Sequence, residues 1–272
     1  AADRADVMES LVHALGENGQ FDRAHEIAAG SAGPAADGLA GAHIRLAWVD
    51  HLAGRRQEGL HQVAAARAVH SPATPDRRSA ATDAAHANLL ADLPEQAGTA
   101  RELAINALRY AQDHDEPEIA VQALLALASV ARDRDQDTAR AQLEFARSIV
   151  EKHPLTPWRT HLLARLGELA ALANGDTGQL RGARQEAART GAVVVARRVD
   201  AAIALHESLL RETDTPPPRP PVARAVWFAH RADRSGMEEA IAAVRHDGDA
   251  DLALCYGLAR AICSLLEEDG NR

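Results

Sequence analysis

Gly19-Gln-Phe-Asp-Arg-Ala24 reads GQFDRA, and the phrase returns as Gly54-Arg-Arg-Gln-Glu-Gly59 and as Gly178-Gln-Leu-Arg-Gly-Ala183. In each copy a glycine is followed, five positions on, by a small residue. Each copy closes one apolar helical pattern and opens another. Glycine enters the left-handed backbone region that ends a helix at no steric cost. The small residue then lets the second helix pack closely on the first. The phrase therefore predicts a helical hairpin, with Gly19, Gly54 and Gly178 as the closing residues.

Working outward, helical spacing dominates the chain. Val7, Met8, Leu11, Val12 and Leu15 form one apolar stripe, and Phe21, Ala24, Ile27 and Ala28 form its partner. Later stripes follow in the same manner, with pair starts near residues 4, 38, 75, 117, 157 and 192. Thr74-Pro75 reads as an N-cap followed by a first-turn proline, and Glu116-Pro117 and Thr156-Pro157 repeat the device. The β-branched run Val193-Val194-Val195 has no second strand to pair with, so it reads as helix. A repeat of roughly 34 to 41 residues is the mark of a helical solenoid. The expected fold is all-α: a right-handed superhelical solenoid of antiparallel helix pairs over residues 1–212. Residues 213–221, with five prolines, read as an extended polyproline segment, either a stiff spacer or a ligand for a partner's aromatic groove. Residues 222–272 then supply C-terminal helices that continue or cap the array, with a turn at Arg234-Ser-Gly236.

Leu15-Gly16-x-x-Gly19-x-Phe21-x-x-Ala24 resembles a tetratricopeptide repeat, whose motif places Leu-Gly, Gly and Ala at about these offsets. Leu52-Ala-Gly54 and Gly178–Ala183 are similar but weaker copies. The Ala- and Arg-rich texture resembles the repeat region of large actinobacterial transcription regulators, the ATP-binding LuxR-type and antibiotic regulatory proteins. That resemblance implies a sensor or scaffold segment flanked by nucleotide-binding and DNA-binding modules. It also implies cytoplasmic work on a protein partner or small effector.

Composition narrows the chemistry. The chain has 272 residues, is 46% hydrophobic and only 3% aromatic, which suits Ala/Leu helix packing. Acidic residues outnumber basic ones 39 to 30, and the net charge of -9 disfavours direct binding of nucleic acid. Lys152 is the single lysine, a bias expected of a GC-rich genome, and it lies outside any phosphate-binding loop motif. Cys255 and Cys263 stand too far apart on one helix for a disulfide and read as small buried residues of a reducing compartment. No leader or membrane-length apolar run is apparent, and the start at Ala1 is expected to reflect processing or excision from a longer polypeptide. Thirteen histidines occur without a metal-ligand spacing, and no nucleophile-elbow or dinucleotide motif is present, so no cofactor or metal is expected.

A solenoid of this type has a concave face lined by the first helix of each pair. Candidate lining residues are Glu9, His13, Arg45, Trp48, His86, Gln122, Arg165 and Arg198. Each also fits an ordinary solvent-facing position, and Trp48 also fits the core. The expected function is non-catalytic binding in an open groove, with no membrane contact; an all-α enzyme with an unfamiliar site is the alternative. Reversing the charges of Arg45 and Arg165 together is expected to weaken an acidic partner and spare the fold.

Overall fold

A computed structural model describes residues 2–31, 36–70, 75–132, 134–210, 221–229, 231 and 233–242. Among these residues there are thirteen α-helices and no strand. They are α1 (Ala2–Glu17), α2 (Phe21–Ser31), α3 (Ala36–Leu52), α4 (Arg56–Val69), α5 (Arg77–Leu90), α6 (Ala97–His114) and α7 (Pro117–Ala131). There follow α8 (Gln136–Lys152), α9 (Thr156–Asn174), α10 (Gly178–Thr190), α11 (Val193–Leu210), α12 (Pro221–Ala229) and α13 (Arg234–Ala242). The pairs begin where the apolar stripes place them, and the Val193–Val195 run is helical. None of these helices is long and apolar enough to cross a membrane.

The turn chemistry agrees at two of the three glycines. Gly19 and Gly54 have φ of 72° and 69° and close α1 and α3. Gly178 does not close a helix: it opens α10, and the left-handed residue is Gly175, with φ 74°. The GQLRGA copy is thus displaced, because Asp176 and Thr177 lengthen the turn, with Asp176 Oδ1 accepting from the Gly178 N–H at 2.8 Å. The small residues five positions on behave as expected: Ala24 and Ala183 are buried, and Gly59 sits where an added Cβ would meet Leu89 Cδ2 at 2.6 Å. The start of α5 differs as well. Its cap is Asp76, which accepts from the Ser79 N–H at 2.9 Å while Ser79 Oγ accepts from the Asp76 N–H at 2.7 Å. Thr74 lies outside the described residues. Arg234-Ser-Gly236 is the first turn of α13 rather than a break, and Pro221 already belongs to α12. Residues 213–220 and 243–272, with Cys255 and Cys263, also lie outside the described residues.

Gly19→Val is expected to cost about 1–3 kcal/mol through backbone strain, since a Cβ there has room, with Val194 no closer than 3.8 Å. Gly178→Ala is expected to leave stability nearly unchanged, its nearest obstacle being the exposed Asp176 carboxylate. Thermal melts of the two variants side by side check both; a destabilised Gly178→Ala or an unaffected Gly19→Val contradicts this assignment of turns.

Packing follows pairs and then rows. Each helix packs on its chain neighbour, and the first helices form a continuous row: α1 on α3, α3 on α5, α5 on α7, α7 on α9 and α9 on α11. The cores are built largely from alanine, as where Ala84, Ala87, Ala104, Ala107 and Ala123 let α5, α6 and α7 approach. Helix α7 is buried on all sides from Ile119 to Ala128. The row does not stay open, however. Helix α11 returns to touch α1, and Trp48 of α3 shares a hydrophobic cluster with Trp158 and Leu162 of α9. Among the described residues the expected open groove is therefore partly filled, and what remains of it includes a cavity at the closure.

Candidate functional site

Three short spacings build the closure. His13 and Glu17 stand one turn apart on α1, Trp48 and His51 on α3, and Trp158 and His161 on α9, so each pair faces the same way. Trp48 and Trp158 meet with ring centroids 4.7 Å apart, and His161 sits edge-on to Trp48 at 5.4 Å. His161 Nε2 lies 2.8 Å and 3.1 Å from the two oxygens of Glu17, a contact that spans 144 positions of sequence. The Trp48 indole N–H donates to the same carboxylate at 3.4 Å. All of Glu17, His161, Trp48 and Trp158 are buried. Burial pushes the Glu17 carboxyl up, but His161, with help from His13 and the indole N–H, outweighs it and holds the group below its ordinary value. His13 is pushed down by burial and by Arg45 and His161, against the pull of Glu17. Its ring is neutral at neutral pH, neither nitrogen has a hydrogen-bond partner, and the nearest carboxylate oxygen is 3.6 Å away.

Beside this cluster lies an ionic one. Arg45 of α3 reaches the Glu118 carboxylate of α7 with two nitrogens, Nη2 at 3.3 Å from Oε2, while its Nε stands 3.6 Å from Glu9 of α1. Burial opposes both charges, yet the pairing prevails: Arg45 is raised and Glu118 is lowered from their ordinary values. Between these groups and the Thr190–Ala192 turn is a cavity of about 450 Å³. Its polar and charged walls include His13, Glu17, Arg45 and Glu118; its apolar walls include Ala14, Leu155, Pro157 and Trp158.

The candidate residues divide accordingly. Glu9, His13, Arg45 and Trp48 are brought together at the closure. Arg165 and Arg198 form a separate cluster around Glu168, which accepts from Arg198 at 2.7 and 3.1 Å and from Arg165 at 3.2 Å. Gln122 is buried and so belongs to the core rather than the lining, and its backbone carbonyl accepts from Asn88 Nδ2 at 3.0 Å. His86 is lowered by burial and then by Arg67, which places it beside α4 rather than on the cavity. Arg45 and Arg165 each hold a carboxylate within the fold, so reversing their charges together would disturb packing as well as any acidic partner. Glu17, Glu118, Trp158, His161 and Glu168 escape a reading from sequence. Their only local signal is the one-turn spacing of His13–Glu17 and Trp158–His161. Among the described residues no group of three His, Cys, Asp or Glu side chains could hold a metal ion.

Away from the cavity, His25 of α2 meets the fully buried Asp50 of α3 at 2.7 Å. That hydrogen bond raises His25 above its ordinary 6.5, against burial. The folded state thus prefers the protonated ring. The stabilisation is fully present below about pH 6.5 and is lost as pH rises through the elevated folded value. It is expected to amount to about 1 kcal/mol at this partly exposed ring. Denaturant melts across that range check it: His25→Asn should remove the alkaline decline, and an unchanged pH profile contradicts the assignment.

No protein-family model and no curated protein matches the sequence.

Proposed function

We propose that this chain is a non-catalytic binding module, a tetratricopeptide-like right-handed superhelix that takes a small effector at its closure. The observation behind this reading is the cavity of about 450 Å³ between the first pair and the α9–α11 segment. Small-molecule sites commonly span about 300–1,000 Å³ and mix apolar walls with a few polar groups. A ligand there touches both ends of the row at once, so it favours the closed arrangement over any opened one. The shift it can impose is limited to its difference in affinity for the two, about 1–3 kcal/mol in typical couplings. An extended peptide in an open groove has less support, because Trp48, Trp158 and His161 occupy that space. By resemblance, the parent protein is a cytoplasmic bacterial transcription regulator whose flanking modules read the shift.

A second reading, an all-α enzyme, rests on His13, a neutral imidazole 3.6 Å from the ionised Glu17 on a cavity wall, as a general base requires. One experiment separates the two. Native mass spectrometry of the chain mixed with a cellular metabolite extract is expected to retain an unaltered small molecule. Recovery of a chemically changed product, lost on His13→Ala, supports the enzyme and defeats the binding module.

A further inference from the structure

Resting on the binding-module reading, we infer that the cavity takes a small organic cation, an ammonium group on a short apolar body. The sign of the wall decides it. Two carboxylates of the wall, Glu17 and Glu118, stand against one guanidinium, Arg45, whose Nε also faces Glu9 at 3.6 Å. Glu17 and Glu118 are both held ionised, and His13 contributes no positive charge. These groups are largely buried, so water screens the field weakly.

Arg45 offers no berth to an anion. Its guanidinium already holds Glu118 with two nitrogens and faces Glu9 with a third. An incoming carboxylate or phosphate must therefore break that pairing and approach two other negative groups. An ammonium breaks nothing, because a carboxylate accepts up to about four hydrogen bonds and both glutamates retain unused lone pairs. The unpartnered His13 ring adds an acceptor nitrogen of the kind an ammonium N–H seeks. Ala14, Leu155, Pro157 and Trp158 give the carbon body an apolar lining. The same ammonium chemistry could arrive on a free amine or on a lysine side chain of a partner protein.

The test is calorimetric titration of the whole chain with matched probes: n-butylamine against n-butanol and butyrate, and choline against 3,3-dimethylbutanol. A short lysine peptide, blocked at its N-terminus, serves as the protein-borne source. The amines are expected to bind at least about tenfold tighter than their neutral or anionic isosteres, more weakly as salt rises. Glu17→Gln and Glu118→Gln should each erase most of that preference, with circular dichroism melts confirming that both variants are folded. Preference for the peptide over butylamine identifies a partner's lysine as the source; the reverse identifies a free metabolite. Equal binding of amine and isostere, or tighter binding of butyrate, overturns the cation and leaves the cavity as a binding site. Absence of binding by every probe, together with an empty chain after the metabolite extract, defeats both readings.

Discussion

Glu17→Ala is expected to destabilise the protein by about 3–5 kcal/mol, the loss seen when one partner of a buried charged pair is removed. The substitution does more than delete a contact between α1 and α9. It leaves the buried His161 ring and the Trp48 indole N–H without their acceptor and opens a void beneath Trp48. Glu17→Gln should cost less, because an amide oxygen still accepts from both donors. Urea denaturation of the two variants and of His161→Ala checks this, and a double-mutant cycle should return a coupling of at least about 1 kcal/mol between positions 17 and 161. Additive losses at the two sites contradict a direct pair. The pH dependence has a definite sign. Glu17 is depressed below its ordinary 4.5, so its stabilisation is present above that value and fades as pH falls through the folded one. His13 is depressed below 6.5, and it too withdraws stability as pH falls. The closure should therefore loosen on the acid side, where Glu17→Gln flattens the profile. His25 acts in the opposite direction and in another place.

The helices were legible in the sequence because helix formation is local. Leu15, Gly16, Gly19 and Ala24 carry their own spacing, and Gly19 needs no knowledge of the rest of the chain to close α1. Even the GQLRGA copy failed locally, by the insertion of Asp176 and Thr177 into the turn. The closure was not legible, for a physical reason. The meeting of Glu17 with His161 depends on the small rotation between successive pairs, added up over five pairs, and alanine-rich interfaces do not announce their crossing angles. Candidate residues chosen for lying on first helices were placed on the correct row, yet only Glu9, His13, Arg45 and Trp48 converge at the closure, while Arg165 and Arg198 meet elsewhere around Glu168. Glu118 and Glu168, which organise Arg45 and Arg198, look in sequence like ordinary acidic residues of exposed helix faces. What marks them is a partner more than two helices away, or on the next first helix, and no spacing rule encodes that.

Arg45→Glu is expected to be at least as damaging as the loss of Glu17, at about 3–5 kcal/mol or more. It removes the guanidinium that pairs with Glu9 and Glu118 and sets a new carboxylate among them, so burial that the ion pair had offset now falls on unpaired charge. Arg45→Leu isolates the first part of this loss, since it leaves Glu118 uncompensated without adding repulsion. The informative variant is the double Arg45→Leu/Glu118→Leu. A buried ion pair recovers little more than its own desolvation, so replacing both partners by apolar groups should return stability to within about 1–2 kcal/mol of the parent. Guanidinium unfolding of the three variants tests this directly. A double variant as unstable as Arg45→Leu would show that Glu9, rather than Glu118, is the partner that matters. Arg45→Glu melting like the parent would mean that the α1–α3–α7 network does not form in solution. The same double variant also separates stability from recognition. It keeps the fold while removing one carboxylate and one guanidinium from the wall, so any ligand held by Glu17 alone should still bind, and one that needs Glu118 should not.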